Sequence, residues 1–131
     1  MILSFTEGQA VPNPPTTAEA PAALKKQPGI DIRQQQPGTE IIVEADTGLY
    51  ELVVVRPESG LVEVSGSDPR LRQPVLGQFL HSVNVLDPTA KFDHWIGRAT
   101  KMVIAFRNAQ FESGVVMAAT IRCKGWHYDV F

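Results

Sequence analysis

An all-β fold, either a small antiparallel β-barrel or a β-sandwich of about seven to eight strands, is what this chain predicts. Three observations carry that expectation. From Thr39 to Phe131, short runs rich in Val, Ile, Leu and aromatic residues recur between clusters of Gly, Pro, Asp and Ser. No long stretch in that region shows an uninterrupted helical spacing of apolar residues. Before it, from Val11 to Pro37, the composition changes to Pro, Ala, Thr and Gln.

The chain therefore divides into a flexible Pro/Ala/Gln-rich tail, residues 1–37, and a small all-β domain, residues 38–131. Pro12, Pro14, Pro15, Pro21, Pro28 and Pro37 lie in the tail with the run Gln34-Gln35-Gln36. Such a segment buries too little apolar surface to offset the entropy of ordering it, and disorder with local polyproline II character is expected. Ile2, Leu3 and Phe5 at its start, and Leu24, Ile30 and Ile32 later, are the residues able to dock on the domain or on a neighbouring subunit. Pro12 and Pro15 have the spacing of an SH3 ligand, but no Arg or Lys flanks them, and the segment reads as a linker.

Glu40–Ala45 is the first expected strand, and Asp46-Thr47-Gly48 the turn that follows. Leu49–Arg56 has apolar residues on both faces, Leu49, Val53 and Val55 against Tyr50, Leu52 and Val54, the pattern of a central strand covered on both sides. Pro57-Glu58-Ser59-Gly60 forms a tight turn, with Pro early and Gly at a position of positive φ. Leu61–Ser65 returns as the hairpin partner. After a polar loop from Gly66 to Pro74, Val75–Leu86 fits a strand, and a short helix over Leu76–Ser82 fits the same residues. Asp87–Thr100 reads as a long irregular loop. Lys101–Arg107 and Val115–Cys123 form a hairpin turning through Asn108–Gly114, and Trp126–Phe131 is a final strand.

Length and composition bound the function. One domain plus a tail accounts for 131 residues, and 44% hydrophobic content is ordinary for a protein with a packed core. Twelve Lys and Arg against 14 Asp and Glu give a net charge of −2, which disfavours a broad electrostatic grip on nucleic acid. A single cysteine, Cys123, permits neither an internal disulfide nor a Cys-rich zinc site. The apolar run Met1–Phe5 lacks a preceding basic residue and is interrupted by Glu7, unlike a secretory signal, and no stretch approaches a membrane span. A soluble, cytoplasmic protein is expected.

Asp46-Thr47-Gly48 is the one catalytic signature to weigh. The same three residues form the active-site turn of retroviral-type aspartic proteases, and Trp95-Ile96-Gly97-Arg98 resembles the apolar pair and Gly that pack beneath that turn. The resemblance implies a homodimer in which two Asp46 carboxylates share a proton. Glu44, Ala45 and Leu49 depart from the family's pattern and no Gly-rich flap is present, whereas a tight β-turn would choose the same triplet. His81, His94 and His127 lack a spacing diagnostic of zinc. No metal or cofactor is expected.

Aromatic residues are the better guide. Phe92 and Trp95 occupy the long loop, Trp126 and Tyr128 share a face near the C-terminus, and His94 and Arg98 accompany the loop pair. Together these six are the candidate binding residues, because aromatic faces anchor protein partners, sugars or bases; the alternative for the aromatics is that they plug the ends of a small core. The leading expectation is a non-enzymatic domain acting by self-association and protein–protein contact. Binding of single-stranded nucleic acid or a glycan by the barrel is the alternative, and the aspartic protease is the third.

Overall fold

β-branched and aromatic residues dominate the first ladders because extended backbone relieves their crowding at Cβ and lets them pack across strands. In the computed structural model, which describes residues 28–131, ten strands form: β1 Gly29–Asp31, β2 Glu40–Ala45, β3 Gly48–Arg56, β4 Leu61–Gly66, β5 Val75–Asn84, β6 Lys91–Asp93, β7 Trp95–Gly97, β8 Thr100–Phe106, β9 Ala109–Cys123 and β10 Trp126–Asp129. The all-β expectation holds. Of the tail expected over residues 1–37, residues 1–27 lie outside the described residues.

All pairings are antiparallel. β2, β3, β4 and β5 follow one another as a meander, β5 also pairs β8, β8 pairs β9, and β9 returns to β2. That circuit makes a partly closed barrel. β5 and β9 serve more than one neighbour because they are long, and β6 and β10 extend the sheet at its two ends. Register shifts at Glu44/Ala45, Val54/Arg56, Phe79/His81 and Lys101/Val103 supply the local bends that closure requires.

The turns follow their residues closely. Pro57–Ser59 makes one 3-10 turn that ends on Gly60 at φ 74, whose N–H donates to the Pro57 carbonyl. Lys124 and Gly125, at φ 50 and 88, form the tight two-residue link from β9 to β10. Val75–Asn84 is strand throughout, so the helical reading of Leu76–Ser82 falls away.

One apolar core fills the barrel, with Ile41, Val43, Leu52, Val62, Phe79 and Ile104 all fully buried. At one end Phe111 packs edge-on against Tyr50, centroids 5.7 Å apart, while the Arg70 guanidinium lies over the Phe111 ring, 4.9 Å from its centre. The opposite end is closed by residues whose composition placed them in the tail. β1 pairs β7, and Ile30 and Ile32 are buried at 1% and 0% exposure. Asp31 caps the following turn by accepting the Arg33 N–H, so residues before 38 contribute to this end of the barrel.

Two further expectations are corrected. Strand β3 is buried on one face only: Tyr50, Leu52 and Val54 point inward, but Leu49 and Val55 remain 52% and 42% exposed. The outward row alternates with Glu51 and faces Glu44, Glu40 and Glu63 across its ladders, so this side is a solvated mixed face. The stretch from Asp87 to Thr100 is not irregular, since it contains β6 and β7.

Candidate functional site

The loop aromatics are packed inside. Phe92 and Trp95 are 0% and 6% exposed, meet edge to face with centroids 5.2 Å apart, and form a small cluster with Ala90 beside the main core. Sequence alone offers these two rings as binding surfaces or as plugs of the core; in the fold they are buried. The indole of Trp95 lies across the Gly29–Gly97 pair, where a methyl on either glycine would fall 2.2 Å from a ring carbon. The carbonyl of Trp95 accepts from the buried Ser82 hydroxyl at 2.6 Å.

His94 sits between β6 and β7 at φ 55. Its N–H donates to Leu80, its carbonyl accepts from Ile32, and its ring abuts the turn at Gly60. The Nδ1 atom is buried without a hydrogen-bond partner. Arg98 is exposed, with its guanidinium carbon 5.7 Å from the centre of the Phe131 ring. His94 and Arg98 thus flank the short strand β7 that carries Trp95 but do not converge with it on an open surface.

Asp46 lies in the β2–β3 turn. Its Oδ1 accepts the Val115 N–H at 2.8 Å and its own N–H donates to the Val115 carbonyl, so the side chain clasps β9. Thr47 and Tyr50 share a hydrogen bond of 2.9 Å between hydroxyls. A shallow depression of about 290 Å³ adjoins them, with Asp68, Arg70 and Lys101 on its rim. The Arg70 hydrogen bonds hold the Asp68 carboxyl below its usual pKa.

Trp126 and Tyr128 are the candidates that face solvent. They occupy alternate positions of β10, 54% and 47% exposed, with near-parallel rings 5.3 Å apart at 14°. Directly opposite residues of an antiparallel ladder share a face. Tyr128 is opposite Ile121, which is opposite Ile41, and these two are 4% and 0% exposed. The row Ile41–Ile121–Tyr128 therefore leaves the core and emerges at the sheet edge on the same side. Trp126 and the half-buried Cys123 repeat this one step along.

Comparison with known protein families, curated proteins and solved structures returned no match. The role of this surface therefore rests on its chemistry. The other face of β10 is polar: Asp129 accepts from the Thr120 hydroxyl at 2.7 Å, and Arg122 beside His127 pairs with Glu40 and Glu51. A depression of about 330 Å³ lies next to Trp126, bordered by Gly38, Glu40, Arg122, Lys124 and His127. Arg122 and Lys124 were not among the residues that sequence reasoning selected. Their only local signal is the two-residue turn at Lys124–Gly125, which folds them back beside the aromatic strand. Among the described residues, no group of three or more His, Cys, Asp or Glu is placed to hold a metal, and no helix is long and apolar enough to cross a membrane.

Proposed function

We propose that this chain is a non-enzymatic association module, in which the barrel presents β10 to a protein partner or to another copy of itself. The observation that carries the reading is the Trp126–Tyr128 stack, exposed on the core-facing side of a strand paired on one edge only among the described residues. An edge strand offers unpaired N–H and C=O groups, and a continuous apolar row gives a partner strand something to bury. Trp and Tyr are also favoured anchors of protein interfaces. Size-exclusion chromatography with light scattering, alone and with candidate partners, tests this. Association should be lost in Trp126→Ala/Tyr128→Ala while the fold is retained. A strict monomer at high concentration that captures no partner, or association insensitive to both substitutions, overturns it.

A second reading is supported by the depression beside Trp126, where Arg122, Lys124 and His127 adjoin an exposed indole. That combination suits a ring stacked on the indole with an attached anionic or hydroxyl-rich group, as in a nucleotide or glycan. Titration with oligonucleotides and sugars while following tryptophan emission tests it, and an unchanged spectrum across both panels would remove its support.

A further inference from the structure

Strand β1 is a short strap held along one edge. Gly29, Ile30 and Asp31 lie opposite Gly97, Ile96 and Trp95 of β7, and β1 pairs no other strand among the described residues. The Ile32 N–H extends the ladder by donating to the His94 carbonyl at 2.8 Å. The seat is selective about what it holds. Ile30 and Ile32 are buried in the main core together with Ile96, while a side chain at residue 29 would strike Trp95 Cζ2 at 2.2 Å. Main-chain bonds along an edge, combined with side-chain pockets beneath it, are the working parts of a strand-addition site. Here the fitting segment is on view: glycine, aliphatic, Asp, aliphatic, from Gly29 to Ile32.

The link from the strap to β2 can act as a hinge. Gln34, Gln36 and Pro37 are exposed. Beyond them the chain is anchored, since the Gly38 N–H donates to the Val54 carbonyl at 2.7 Å and the Thr39 carbonyl accepts the Val54 N–H at 2.9 Å. New backbone angles over residues 34–37 therefore release the strap while β2 stays in place, with the loss of the turn bond from the Thr39 N–H to the Gln36 carbonyl. An empty seat would leave Ile96 and Trp95 uncovered and Ile30 and Ile32 in water. A second copy carries the same segment. Seated in trans, that segment makes the bonds and apolar contacts that it makes in cis, so exchange is opposed chiefly by the entropy of association.

We propose that the seat along β7 is a strand-exchange site: β1 of one copy leaves it, and β1 of a second copy takes its place in a reciprocal dimer. Each copy then donates Ile30 and Ile32 to the core of the other. Two-fold exchange closes the assembly, because both seats are filled and no strap is left over. The site uses no residue of β10 and stands apart from the association edge proposed there.

The test uses the full chain. Unlabelled and isotope-labelled copies are unfolded together in urea, refolded at high concentration, and separated by size-exclusion chromatography with light scattering. The expected result is a species of twice the chain mass, with nuclear Overhauser contacts between Ile30 of one copy and Ile96 of the other. Ile30→Asp/Ile32→Asp should lower its fraction by at least about 10-fold, because the seat then has to bury two carboxylates. Trp126→Ala/Tyr128→Ala should leave it unchanged. A parent chain that refolds only to monomer, or a dimer whose Ile30–Ile96 contacts all lie within one copy, overturns the proposal. These contacts are read in the parent chain, so they decide the matter even where the strap variant fails to fold. A dimer that survives Ile30→Asp/Ile32→Asp but is lost in Trp126→Ala/Tyr128→Ala also overturns it, and leaves β10 as the association edge. Crossed contacts that persist in Trp126→Ala/Tyr128→Ala support exchange whether or not β10 engages a partner.

Discussion

Replacing Gly97 by alanine tests the join between β1 and β7. The added methyl would lie 2.2 Å from Trp95 Cη2 and 2.3 Å from Cζ3. Carbon atoms in contact settle at about 3.5–4.0 Å, so the indole must retreat by about 1.3–1.8 Å. Overpacking of this kind costs about 1–3 kcal/mol, and the reduced freedom of the unfolded chain returns about 0.5 kcal/mol. A net loss of about 0.5–2.5 kcal/mol lowers Tm by roughly 2–20 °C for a domain of this size. Thermal unfolding followed by circular dichroism measures the loss. Tryptophan emission in a Trp126→Phe background reports Trp95 alone and should move to longer wavelength. The decisive comparison is a double-mutant cycle with Trp95→Leu, which removes the ring that clashes. In that background Gly97→Ala should cost almost nothing; if it costs as much as in the parent, the indole is not what forbids a side chain at residue 97.

Three further outcomes are expected. Asp46→Ala should lose about 1–2 kcal/mol by freeing the Val115 N–H, whereas Asp46→Asn, which keeps an acceptor oxygen, should lose less than about 1 kcal/mol by urea titration. Ser82→Ala should destabilise by about 1–3 kcal/mol, because the buried Trp95 carbonyl loses its donor; equal urea midpoints would contradict that. Burial, with Lys91 adding to it and Asp93 opposing, holds the His81 pKa below 6.5. Within the window below that value the unfolded chain binds more protons than the fold, so stability falls as pH drops through about 6.5, and His81→Asn should flatten this part of the urea midpoint profile.

Local chemistry made much of the barrel legible. The alternation in β2 and β4 and the Pro57–Gly60 turn stand where the residues placed them, because propensity, turn chemistry and burial all agree there. What could not be read locally depends on distant partners. Gly29–Asp31 becomes a strand only because β7 is beside it, and its flanking Pro and Gln residues argue for a tail. For the same reason Phe92 and Trp95 fit either a binding face or a core plug in sequence, and only the pairings of β6 and β7 bury them. Strand β3 misled differently: apolar residues on two faces imply two covers, but the Glu residues that solvate the outer face come from β2 and β4. At the candidate surface, the shared face of Trp126 and Tyr128 followed from their spacing. Its continuity with the core required the β2–β9–β10 register.

That register also fixes when the surface joins the core. Glu40 and Arg122 are separated by 82 residues, so the ladder that positions β9 against β2 is among the most costly to close in loop entropy. A chain still lacking that ladder has no row from Ile41 through Ile121 for Tyr128 to extend. The hairpin that carries Trp126 and Tyr128 is local, but its aromatic edge becomes continuous with the core only through the longest-range pairing among the described residues.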